Sequence, residues 1–233
     1  LTKLAPDLAV LPTTDPAIST ALARIETALD QIPANELTLD TLQRDYDLAE
    51  LQYTSAMADP LRILVMGDSF MTSNGSAGSA VPSLLRRDLQ ANVQSRAMTG
   101  ARFVYRLPIT GALGMNITKQ YRPGPWDFVV MNGGGNDLWM GCGCTRCRKR
   151  LNRLISSDGR KGEIPSAVSK ARKSGAQVIY VGYLRSPGLG SPIEHCRKVG
   201  DALEARINVM AKQDAGVSFV SLADMVPHGD RSF

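Results

Sequence analysis

The sequence predicts an α/β protein: a three-layer α/β/α domain around a parallel sheet, preceded by a helical extension. Three observations carry this. From residue 61 onward, short apolar runs alternate with amphipathic stretches of helical period, the pattern of strands joined by crossover helices. The 233 residues are 43% hydrophobic and 21% charged, which is ordinary for a globular chain and enough for one such domain with an appendage. The longest apolar runs, such as 63–66 and 128–131, fall far short of the roughly 20 residues that a membrane-crossing helix needs.

Residues 1–59 read as the extension. Asp15-Pro16 can open a helix through Leu22, Ile25 and Leu29, whose spacings of three and four make one apolar stripe. Ile32-Pro33-Ala34-Asn35 breaks it, and a second helix from near Thr38 carries Leu42, Leu48 and Leu51. Pro60 punctuates the start of the main domain, 60–233. Its strands are expected at 61–66, 92–97, 128–132, 177–182 and 217–221, with helices at 81–89, 146–155, 164–173 and 194–212. In such sheets the active site gathers at the carboxyl ends of the strands. The chain opens at Leu1 rather than Met, which fits a removed leader, an engineered boundary or a trimmed start.

The net charge of +5 arises from 27 basic and 22 acidic residues. Its one local cluster, Arg146, Arg148, Lys149, Arg150 and Arg153, has no interleaved aromatic to stack a base, so it reads as a solvated helix face and no nucleic-acid partner is expected. Cys142, Cys144 and Cys147 fall together and Cys196 lies far downstream. Two disulfides are expected, one inside the cluster and one reaching Cys196, because a bridge from Cys142 to Cys144 would close too tight a ring. A four-thiolate zinc site is the competing account, but the spacing lacks paired C-x-x-C knuckles. Disulfides imply an oxidising compartment, periplasmic or secreted.

The candidate chemistry follows successive strands. After the first comes Gly67-Asp68-Ser69-Phe70, where Gly67 permits a tight turn and Ser69 can expose its hydroxyl at the rim of the sheet. After the second comes Thr99-Gly100-Ala101, and Gly100 can offer a backbone N–H at the same rim. After the third comes Asn132-Gly133-Gly134-Gly135-Asn136-Asp137, where glycine lets backbone approach a substrate and the Asn136 amide can donate to a developing oxyanion. Any of these alone is also what an ordinary turn or helix cap looks like. Together they put a hydroxyl and several donors at one edge.

That combination resembles the SGNH (GDSL) hydrolase superfamily, whose name records a nucleophilic Ser, an oxyanion Gly, an oxyanion Asn and a catalytic His in separate blocks. The resemblance covers roughly residues 61–233 and implies a flavodoxin-like fold. By it, Ser69 attacks an ester carbonyl, while the Ser69 N–H, the Gly100 N–H and the Asn136 amide hold the oxyanion. Gly134 matches the first position of the family's Gly-x-Asn-Asp block. The family's Asp-x-x-His element has its nearest counterpart in Asp224-Met225-Val226-Pro227-His228, one residue too long and with no helix after it. The expectation is therefore that the Asp-His block and the last helix lie beyond Phe233, with Asp224 and His228 as the alternative pair. His195, beside Cys196, matches no catalytic block and reads as structural or substrate-facing.

Trp139 is placed either to wall a pocket or to pack in the core, and the run 183–190 after the fourth strand either forms one side of the pocket, with Arg185 available to an anionic substrate group, or is a surface loop. The function expected is an esterase acting on carboxylic esters, with acyl esters of envelope carbohydrate or lipid as the expected substrates, without metal or organic cofactor. It is also expected not to insert stably into a membrane. Its rivals are a catalytically silent domain that binds glycan or protein, and an O-acyltransferase variant. A nucleotide binder using Gly133–Gly135 is weaker, since no Lys-Ser or Lys-Thr follows the glycines.

Overall fold

A computed structural model describes residues 59–185 and 194–230, together with 19–20, 23–24, 26–27, 43–44 and 46–48. The chain divides into two units, Leu1–Asp59 and Pro60–Phe233. In the first, the described positions before Asp59 are helical. The stripe residues Leu22, Ile25, Leu29, Leu42 and Leu51, and the bounds of both expected helices, lie outside the described residues. Among the described residues no helix is long and apolar enough to cross a membrane.

The second unit is built on five parallel strands, β1 Arg62–Met66, β2 Asn92–Ser95, β3 Phe128–Met131, β4 Gln177–Val181 and β5 Val217–Val220, in the order β2-β1-β3-β4-β5. Each expected strand is present, shortened by one or two residues. Pairing is in register from Ile63 opposite Phe128 to Met66 opposite Met131, so the ends of β1 and β3 lie side by side. This is the flavodoxin-like order, and the direction of winding reverses between β1 and β3. Loops leaving two such strands diverge to opposite faces and open a crevice at their carboxyl ends.

Its α-helices of four or more residues are α1 Ser69–Thr72, α2 Val81–Asp88, α3 Gly135–Cys142, α4 Arg148–Leu154, α5 Glu163–Arg172 and α6 Arg197–Ala211. Because side chains alternate along a strand, Ile63 and Val65 of β1 face one layer, where Met71, Val81 and Leu85 of α1 and α2 cover them. Leu64 and Met66 face the other layer, against Leu138 of α3, Leu151 and Leu154 of α4, Ile164 and Val168 of α5, and Leu203 and Ile207 of α6. A sheet covered on both faces explains why its central strands β1 and β3 read as nearly unbroken apolar runs. α5 has Glu163 in its first turn and Lys170 and Arg172 in its last, each complementing the helix dipole. The helices α1 and α3 are absent from the sequence expectation; α1 is a single turn, and the glycine-rich start and Gly-Cys end of α3 hide a short helical run.

Candidate active site

β1 delivers the chain to Gly67, whose φ of +141° is closed to side-chain-bearing residues, and where a Cβ would strike the Asn132 amide. The turn is held from beneath. The fully buried Gln120 accepts from Gly67 N at 2.6 Å and donates to Gly67 O at 2.9 Å and to Gly114 O at 2.8 Å. Asn132, at the end of β3, accepts from Asp68 N at 3.1 Å and donates to Asp68 Oδ1 at 3.2 Å. Asp68 then caps α1, Oδ1 accepting from Phe70 N at 3.0 Å. Ser69 is the first residue of that helix, part-exposed at the crevice where the winding reverses.

Across the crevice, Asn136 donates through Nδ2 to Ala101 O at 3.2 Å, and more distantly to Asp68 Oδ2 at 3.4 Å. Gly133 and Gly134 before it serve the interior rather than the substrate. A Cβ on Gly133 would lie 2.6 Å from Ile117 and 2.7 Å from Phe103, and one on Gly134 would lie 2.8 Å from Leu203, so the backbone threads between core side chains that leave no room for a methyl. Tyr180 of β4 donates to Gly133 O at 2.9 Å and pins that passage.

Asp137 is fully buried and accepts from Phe103 N and Val104 N, both at 2.8 Å. Burial, opposed by those bonds, pushes its carboxyl above the ordinary carboxylate range. Its folded state therefore holds a proton more tightly than the unfolded chain does. The stability it contributes is complete below the ordinary value and declines as pH rises through the elevated one. Asp137→Asn turns an amide donor toward one of two backbone donors and is expected to cost about 1–3 kcal/mol. In urea unfolding this difference from wild type should narrow from pH 4 to pH 7, and a gap that widens would refute the assignment.

Ser69, Asn136, Asp68, Tyr183 and His228 line one cavity of about 300 Å³. Phe70, Leu138, Trp139, Leu184 and Leu203 form its apolar side, and Arg197 and Asp201 lie on its polar side. Trp139 is 41% exposed, so it walls this cavity rather than packing inside the core. Gly100, with φ +79°, is not among the lining residues; it sits against Met115 in the turn after β2, one residue before the Ala101 carbonyl that holds Asn136. The structure thus brings Ser69 and Asn136 together and sets Gly100 beside them.

Arg185 does reach the cavity, but its charge is already engaged. It pairs with Glu204 at 2.8 Å and Asp201 at 2.9 Å, both on α6, so it offers an incoming anion little net attraction. His228 also lines the cavity, and its Nε2 lies 3.2 Å from Asp201 Oδ2. Asp224, the sequence alternative for that pairing, is exposed. Sequence reasoning missed Gln120 and Asp201, and named Asn132 and Tyr183 only as the first residues of longer runs, without these contacts; each acts across tens of positions.

The cysteines form Cys142–Cys147 and Cys144–Cys196 bridges, one inside the cluster and one to Cys196, as expected. His195 lies beside Cys144 and Cys196 with ligand atoms within 4.8 Å. Both sulfurs of that trio are spent in the bridge, so it lacks the free thiolates of a zinc site.

Residues 65–233 match the pattern of the GDSL-like lipase/acylhydrolase family. No curated protein matches the chain. Among solved structures it is similar to a candidate SGNH hydrolase from Slackia heliotrinireducens, at 22% identity over 72% of this chain and 82% of that one, with a TM-score of 0.45. It is also similar to a GDSL-like lipase from Bacteroides thetaiotaomicron, at 18% identity over 75% and 77% with a TM-score of 0.48. A psychrotrophic esterase from a Pseudoalteromonas species gives 16% identity over 70% and 79%, with a TM-score of 0.43.

Proposed function

Because the chain belongs to the GDSL-like lipase/acylhydrolase family, and so is a hydrolase of the esterase type, we propose that it cleaves carboxylic esters through an acyl-enzyme on Ser69. The observation that carries this reading is the meeting of Ser69 and Asn136 on one cavity at the β1/β3 crevice. Ser69 Oγ attacks the ester carbonyl and gives up its proton to a base, and the carbonyl oxygen takes the negative charge. The Asn136 amide, the Ser69 N–H and the Gly100 N–H stabilise that charge. Collapse expels the alcohol, which takes the proton. Water then releases the acid from Ser69 by the same steps, and none of them calls for a metal or organic cofactor.

The acyl group fits the apolar wall of Phe70, Leu138, Trp139, Leu184 and Leu203, while Arg197 and Asp201 suit the alcohol side, in keeping with a small acyl ester of envelope carbohydrate or lipid. Two disulfides support a periplasmic or secreted setting. A serine at its ordinary acidity attacks poorly, so a base is required. His228 is the imidazole that lines the cavity among the described residues.

Incubation with a fluorophosphonate should label Ser69 alone, located by peptide mass, and p-nitrophenyl acetate and butyrate should be turned over. A His228→Ala variant that labels as fast as wild type would assign the proton to a different group. Absence of both labelling and turnover in the full-length protein would overturn the esterase reading in favour of a silent glycan- or protein-binding domain. Faster product release on adding a sugar acceptor, with acyl-sugar formed, would identify the acyltransferase variant.

A further inference from the structure

We propose that Tyr183 is a positioning residue of this site: by satisfying Asp68 Oδ2 it leaves the Asn136 amide available to the oxyanion. The inference rests on the esterase reading for its catalytic consequence. Its structural content stands apart from it.

Tyr183 follows β4 and reaches past the end of β3 to the end of β1. Its backbone N–H donates to Glu204 Oε1 at 2.7 Å, and Glu204 is itself buried and paired with Arg185. Its ring meets Phe70 edge-on, with centroids 5.7 Å apart. A Cβ on Gly135 would lie 3.0 Å from Tyr183 Cζ, so the oxyanion loop rests directly on the phenol. The hydroxyl accepts from Gly135 N at 3.2 Å and donates to Asp68 Oδ2 at 2.7 Å. One oxygen therefore joins the residue before Asn136 to the residue before Ser69. Burial, then the charge of Asp68, pushes the phenol well above its ordinary value, so it stays a donor.

The lengths around Asp68 decide what this does. Oδ1 is taken by Phe70 N at 3.0 Å and Asn132 Nδ2 at 3.2 Å. Oδ2 has two donors: Tyr183 at 2.7 Å and Asn136 at 3.4 Å. A charge-assisted O–H···O bond at 2.7 Å is strong, and a 3.4 Å amide contact is weak. Asn136 Nδ2 carries two hydrogens. One is held by Ala101 O at 3.2 Å, and the other is the weakly held one that a developing oxyanion would take. Asp68 is 2% exposed, so it is costly to leave without a donor. Remove the phenol oxygen, and Asn136 is the donor within reach that replaces it, drawn onto Asp68 and away from the substrate.

Two measurements on Tyr183→Phe, made in the full-length protein, test this. In the first, kcat for p-nitrophenyl acetate falls at least about tenfold with KM within about twofold, the pattern of a donor lost mainly to the transition state. In an Asn136→Ala background the same substitution causes no further fall. A merely structural role would lower kcat by equal factors in both backgrounds, and that result overturns the proposal. The second needs no turnover. The Asn136 side-chain amide resonances, assigned by their loss in Asn136→Ala, become more protected from solvent exchange in Tyr183→Phe. Unchanged protection overturns the proposal, whereas turnover that survives Ser69→Ala instead refutes the esterase reading and leaves the amide result to decide the role of Tyr183.

Discussion

Ser69→Ala is expected to lower ester turnover by about 10⁶-fold, the scale seen when the nucleophile of a serine hydrolase is removed, and to leave the unfolding midpoint unchanged. The two halves of this expectation have separate causes. The fold uses Ser69 through its carbonyl, which accepts from Ser73 N at 2.8 Å, Ser73 Oγ at 2.7 Å and Thr72 Oγ1 at 3.2 Å. Alanine keeps that carbonyl and is a good helix former. The cap of α1 comes from Asp68 and the turn before it from Gln120 and Asn132, all untouched. Stability should therefore stay within about 0.5 kcal/mol, as for substitutions that break no buried contact. The chemistry uses the hydroxyl, for which a methyl is no substitute. Parallel p-nitrophenyl acetate assays and thermal melts check both. A variant that keeps its turnover would show that Ser69 is not the nucleophile. One that loses turnover together with its fold would show that the hydroxyl has a structural duty the geometry does not assign.

How much of this was legible in the sequence depends on the range of each interaction. β1 and β3 could be placed because burial on both faces makes each a nearly unbroken apolar run, and Ser69 and Asn136 could be named because each comes within a few residues of the end of one. The interactions that hold them were not legible. Asp68 meets Asn132 across 64 positions and Tyr183 across 115, and Gly67 meets Gln120 across 53. Nothing local marks Gln120 or Tyr183 as different from any other polar residue near a turn. In sequence the glycine run is equally open to a substrate or to an ordinary turn, whereas in the structure Gly133 and Gly134 are small because Phe103, Ile117 and Leu203 occupy the space. The sequence leaves Arg185 between a pocket side and a surface loop, and both its place on the cavity and its neutralisation by Asp201 and Glu204 depend on where α6 docks. The same docking gives His228 a carboxylate from Asp201, 27 positions away, in place of the nearby Asp224.

Opening the Cys144–Cys196 bridge should produce the largest change in stability. In the chain-entropy account, a crosslink stabilises by restricting the unfolded chain, and the effect grows with the loop closed. These two cysteines are 52 positions apart, whereas Cys142 and Cys147 are 5 apart. Replacing Cys144 and Cys196 with serine is thus expected to cost about 4 kcal/mol and replacing the shorter pair about 2. The position of the longer bridge adds a functional consequence. Cys144 lies just past α3, the helix that Asn136 opens, and Cys196 immediately precedes α6, which supplies Arg197, Asp201, Leu203 and Glu204 to the cavity. Cutting it frees two walls of the cavity from each other, so activity should be lost at a lower denaturant concentration than in wild type. Guanidinium unfolding of the two serine double variants, with wild type under oxidising and reducing conditions, measures all of this. The expected order is wild type, then the short-loop variant, then the long-loop variant, with reduced wild type lowest. An equal or smaller cost for the long loop would show that structure retained in the unfolded chain, rather than loop entropy, sets the effect. A wild-type midpoint indifferent to reductant would show that the bridges do not form and would remove the support they give to an oxidising compartment.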